Sequence, residues 1–100
     1  MQYNDDFNYV CVIFEDKINS TPGHPKFYGK EYLYKTKVNL KLGQVVEVDT
    51  IYGHNMAVVN SILTTEDAIK RANSLGYNLD GLKEIYDEQS DVYRGFTYNG

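Results

Sequence analysis

The chain contains no tryptophan, one cysteine, two prolines and no long apolar stretch. Each scarcity excludes something. A lone Cys11 cannot form an internal disulfide, so the fold does not depend on cross-links. The longest apolar run, residues 9–14, is the size of a strand. It falls far short of the roughly 18 residues that a transmembrane helix needs. Acid stands at Asp5 and Asp6, where a secretory leader would carry base. A cytoplasmic protein without membrane attachment is therefore expected.

Catalytic and metal-binding patterns are scarce too. The only histidines, His24 and His54, fall in separate turns, and there is no Cys-x-x-Cys, His-x-x-x-His or His-Glu-x-x-His spacing. Gly29, Gly43 and Gly53 lack the spacing that cradles phosphate, and no serine has the context of a nucleophile elbow. Cys11 lies between Val10 and Val12 and reads as a small buried hydrophobe rather than a nucleophile. Glu47 and Asp49 share a strand face and have the chemistry to hold a hard cation, but acids on a solvated face need no ligand. No cofactor, no metal and no catalysis are expected. A metal- or cysteine-dependent enzyme is the third-ranked reading.

What is present points to β-structure. One hundred residues, 42% of them hydrophobic, suffice for one domain with one modest core. Ten tyrosines suit half-buried strands, where the ring packs and the hydroxyl stays wet. They also suit an interface.

Residues 7–14 form the clearest strand, apolar on both faces and therefore central. Residues 19–25, with Pro22 and Pro25, are turn chemistry, and a loop this long in a small domain is often functional. Residues 31–36 alternate, with Tyr32, Tyr34 and Thr36 on one face and Leu33 and Lys35 on the other. Residues 44–50 direct Val46 and Val48 one way and Glu47 and Asp49 the other. Residues 56–63 read as a strand with Ala57, Val59, Ser61 and Leu63 on one face.

The period then changes. Thr64-Thr65-Glu66-Asp67 reads as a helix start, with a Thr cap and acids in the first turn, and Gly76 ends the helix. Leu79, Leu82 and Tyr86 predict a second helix over about 79–88. The tail from residue 91 is either an edge strand or a tether.

Charge is unevenly distributed. Five lysines and one acid lie in residues 26–42, although the whole chain carries a net charge of −4. The candidate contact residues are Lys26, Tyr28, Lys30, Tyr32, Tyr34, Lys35 and Lys37, with Tyr52 in a later turn. Lysines neutralise phosphates and flat rings stack on unpaired bases, so the segment suits single-stranded nucleic acid. Lysines also protect edge strands from aggregation, and an acidic chain is a poor nonspecific nucleic-acid binder.

The residues Tyr32-Leu33-Tyr34-Lys35, Leu42-Gly43-Gln44-Val45-Val46-Glu47-Val48, Gly53 and Ala57-Val58-Val59 follow a recognisable order of elements. Over about residues 27–63 this order resembles the N-terminal DNA-end-binding domain of the primosomal replication-restart helicase. It is also similar to short phage proteins with the same strand pattern. The resemblance implies a small barrel and DNA-end binding. Where that family has an acid between two aromatics, this chain has Leu33, and where it has Pro-Phe-Gly, this chain has Ile51-Tyr52-Gly53.

The expected protein is a single α+β domain. Residues 7–63 make a small SH3-like antiparallel β-barrel of four or five strands, and residues 64–90 add one or two short helices. The expected function is a non-enzymatic binding module, an accessory protein or inhibitor of a phage or mobile element that binds a protein partner. Single-stranded nucleic acid or a DNA end is the alternative partner.

Overall fold

The computed structural model describes residues 7–51 and 53–86. Its elements are β1 (Asn8–Glu15), β2 (Phe27–Thr36), β3 (Val45–Thr50), β4 (Gly53–Leu63), α1 (Thr65–Leu75), a 3-10 turn (Leu79–Gly81) and β5 (Glu84–Ile85). The strands form one sheet in the order β3-β4-β1-β2-β5. All pairings are antiparallel except β2 with β5. The edge strands β3 and β5 approach each other, so the sheet curls nearly into a barrel.

The central place of β1 follows from its composition. Val10 and Val12 face the barrel interior, packed with Tyr34, Val46, Val48, Ala57, Val59 and Ile85. Tyr9 and Cys11 face the other way and meet Leu33, Leu82 and the helix residues Ala68 and Ala72. A strand that buries both faces loses stability wherever it is moved, because each fully buried apolar side chain contributes about 1.5–3 kcal/mol.

One register detail departs from simple alternation. Val59 sits opposite Val12, but Ser61 sits opposite Cys11, leaving Asn60 as a bulged residue. Below this bulge Ala57 and Val59 line the barrel; above it Leu63 packs toward α1. The single face expected for Ala57, Val59, Ser61 and Leu63 is therefore split in two. A bulge adds one residue, and one residue exchanges the faces.

The helix begins and ends as its sequence predicts. Thr64 Oγ1 accepts the Asp67 N–H at 3.1 Å. Gly76 adopts φ +79°, and the Tyr77 N–H then reaches the Ala72 carbonyl at 2.8 Å.

The second helix does not form over the described residues. The stretch after Asn78 makes only the 3-10 turn, and β5 then pairs parallel with β2 at Lys35 and Thr36. Helical spacing would put Leu82 and Ile85 on one side. In an extended chain three residues apart they point to opposite sides, and each fills a different core: Leu82 lies beneath α1 and Ile85 lies in the barrel. Burial in two cores outweighs local helical preference. Residues 87–90 of that expected helix, and the tail, lie outside the described residues. Among the described residues no helix is long and apolar enough to cross a membrane.

Candidate functional site

The β1–β2 hairpin carries the surface of interest, and its long connection is tightly bonded. The Asp16 N–H donates to the Lys26 carbonyl at 2.7 Å, closing the loop at its base. The Ser20 hydroxyl donates to the Asp16 carbonyl at 2.8 Å and accepts the Lys26 N–H at 2.9 Å. Asn19 Nδ2 donates to the Asp16 carboxylate at 2.7 Å. That bond is the main reason why the Asp16 carboxyl titrates below its ordinary range. Thr21 and His24 bridge the tip, with Gly23 at φ +78° between them. The loop also leans on the sheet. Thr21, Pro22 and Pro25 line a cleft of about 320 Å³ together with Val45 and Met56.

This bonded loop presents Lys17 and Ile18 to solvent, and Ile18 is 93% exposed. On the returning strand, Phe27 lies opposite Glu15 and Glu31 lies opposite Ile13. Tyr28, Gly29 and Lys30 therefore bulge opposite Phe14, with Gly29 at φ +119°. Positive φ is cheap for glycine, and such a bulge redirects the neighbouring side chains. Tyr28 is 82% exposed, and Lys26 and Lys30 are exposed beside it.

The eight candidate contact residues do not share one surface. Lys26, Tyr28, Lys30 and Tyr32 gather at the hairpin tip. The Tyr32 ring rests on Phe14 with centroids 4.9 Å apart and remains half-exposed. Tyr34 meets the same Phe14 edge-on but is buried in the barrel core, so its ring is closed to a partner. Lys35 and Lys37 sit about 20 Å further along the strand from Lys30. Their Nζ atoms lie 4.8 and 5.2 Å from the centre of the Phe7 ring. Lys35 Nζ also donates to the Asp80 carbonyl at 3.1 Å. Tyr52 lies outside the described residues.

Two features escaped sequence reasoning. One is Ile18, a single large apolar residue inside a polar turn, whose isolation in the sequence was the available signal. The other is a polar cluster on the α1 side of the sheet. Glu31 accepts from Asn60 Nδ2 at 2.6 Å, from the Ser61 hydroxyl at 2.8 Å and from Arg71 Nη1 at 3.4 Å. The Asn60 bond first, then the Ser61 and Arg71 bonds, hold the Glu31 carboxyl below its ordinary range against the opposing effect of burial. These residues are 29 to 40 positions apart in sequence, and only the Asn60 bulge brings Asn60 and Ser61 to one carboxylate. Cys11 is fully buried, and burial, reinforced by the Glu31 charge, raises its thiol pKa. Among the described residues no three His, Cys, Asp or Glu side chains are grouped to hold a metal ion.

Comparison with protein-family models, with curated proteins and with solved structures finds no match.

Proposed function

We propose that this chain is a non-enzymatic binding module, a small barrel of the SH3-like kind whose β1–β2 hairpin tip docks on another protein. One observation carries the reading: a loop locked by backbone and side-chain bonds exposes Ile18, and the bulged start of β2 that follows it exposes Tyr28, with Tyr32 half-exposed further along the strand. Docking on a partner would give such side chains a use: ordered segments lose little entropy on binding, and tyrosine anchors are typical of interface centres.

Single-stranded nucleic acid is the competing partner. The engagement of Lys35 and Lys37 with Phe7 and the burial of Tyr34 reduce the basic and aromatic set at the tip to Lys26, Lys30, Tyr28 and Tyr32. Glu15 and Asp16 flank that set and oppose a continuous phosphate chain.

The test uses a photo-crosslinking residue placed at position 28, with position 75 on α1 as the control. A protein adduct at 28 that is absent at 75 supports the reading. A nucleic-acid adduct at 28, or no adduct at 28 in cells that express the protein naturally, overturns it.

A further inference from the structure

The cleft of about 320 Å³ under the β1–β2 loop has a floor made by the sheet and a wall made by the loop. Pro22 and Pro25 belong to the wall; Glu15, Val45 and Met56 belong to the floor. The strand registers place these floor residues on one face. Ile13 pairs with Val58, and Val58 pairs with Val45, so the three form a row across β1, β4 and β3. Val12, Val46 and Ala57 line the barrel, so this row faces outward. Two residues further along each strand, Glu15, Met56 and Glu47 form the next row on the same face. Met56 is paired with Glu47, and Glu15 follows the Phe14–Ala57 pair. The backbones of the two glutamates are therefore about 10 Å apart, with Met56 between them.

Neither carboxylate has a partner. Glu15 and Glu47 are half-buried, yet neither side chain makes a hydrogen bond or an ion pair among the described residues. The nearby acids differ: Asp16 is held by Asn19, and Glu31 by Asn60, Ser61 and Arg71. Partial burial strips water from a carboxylate, and a cation with hydrogen-bond donors restores what is lost. The cleft therefore offers apolar surface from Met56, Val45 and two prolines, with negative charge at both ends of the Met56 row.

We infer that this cleft receives an arginine side chain of the protein that docks on the hairpin tip, an inference that rests on that docking. The stem of the arginine lies over Met56 and the prolines. Its guanidinium donates to Glu15 on one side and to Glu47 on the other. Arginine fits better than lysine because its planar head carries donors on opposite edges, whereas an ammonium is a compact point charge. An apolar side chain would leave both acids unpaired, and an acidic one would be repelled.

The full chain, labelled with nitrogen-15, is titrated by NMR with N-acetylarginine amide and with its norleucine counterpart, each up to about 50 mM. The arginine probe is expected to give saturable shifts centred on Glu15, Glu47 and Met56, and the norleucine probe none. The double variant Glu15→Gln, Glu47→Gln should weaken the arginine probe by about tenfold or more. It should not lower the thermal midpoint, because it breaks no bond within the fold. The inference is overturned by absence of saturable shifts, by equal binding of norleucine, by unchanged binding in the double variant, or by a lowered midpoint, which would make the acids structural. Crosslinking from position 28 separates the two readings. A protein adduct that persists undiminished in the double variant keeps docking at the tip and overturns the arginine. Probe shifts at the cleft without any protein adduct at 28 overturn docking at the tip and support the cleft as a site for a basic side chain.

Discussion

Glu31 on β2 and Arg71 on α1 meet at 3.4 Å, and this is the one ion pair that joins the helix to the sheet among the described residues. The contact matters because the helix rests on the sheet through small side chains, Ala68 and Ala72. The carboxylate supplies what their limited apolar area does not, by bonding β4 and α1 at once.

Glu31 should make stability depend on pH in a defined direction. Its carboxyl pKa is lower in the folded chain than in the unfolded one, whose reference value is 4.5. The stabilisation is therefore complete above about 4.5 and is lost as pH falls through the lower, folded value. Thermal melts between neutral and strongly acid pH should show this loss in the native chain, and Glu31→Gln should flatten it. Glu31→Ala should cost about 1–2 kcal/mol at neutral pH. An unchanged pH profile in Glu31→Gln would remove the carboxylate from this role.

Cys11 should be chemically silent while the protein is folded. It is fully buried and its thiol pKa is raised, so little thiolate is present and none is accessible. A thiol reagent should react at the rate of protein opening, and the rate should rise with denaturant. Fast stoichiometric labelling of the native chain would contradict the packing beneath α1.

Thr36 should hold β5 through its hydroxyl. The group donates to the Ile85 carbonyl at 2.8 Å and accepts the Val38 N–H at 3.0 Å, entirely buried. Thr36→Val conserves shape but leaves both partners unpaired, at a cost of about 1–3 kcal/mol in a chemical denaturation series. Hydrogen exchange should quicken at Ile85 and Val38 more than at β1.

The tyrosines should separate by burial. Tyr34→Ala removes a ring from the barrel core and should destabilise by about 3–5 kcal/mol. Tyr28→Ala, at an exposed position, should change stability by less than about 0.5 kcal/mol while weakening partner capture at the tip. Equal stability losses at both positions would mean that Tyr28 is a folding residue and not a contact.

Sequence reading succeeded where local pattern and burial agree. The central placement of β1 was legible because residues 9–12 are apolar on both faces. The alternation of Val46 and Val48 against Glu47 was legible for the same reason, and so were the Thr64 cap and the Gly76 stop. It failed at residues 79–86, where the spacing of Leu79, Leu82 and Tyr86 imitates a helix. It also failed along β4, where nothing in the residues themselves announces a bulge at Asn60. For the candidate site, it named lysines and tyrosines of residues 26–37 but had no means of dividing them between tip, core and far end.

Composition and periodicity by themselves determined a small β-rich domain with one capped helix, because apolar side chains that recur every second or every third to fourth residue must be buried on one face. Only the folded chain decided which groups meet. Bulges at Gly29 and Asn60 shift register by contacts made far along the sequence, and the split of Leu82 and Ile85 between two cores depends on what lies on each side of the sheet. Energies of that kind arise between segments, and a local pattern carries no information about them.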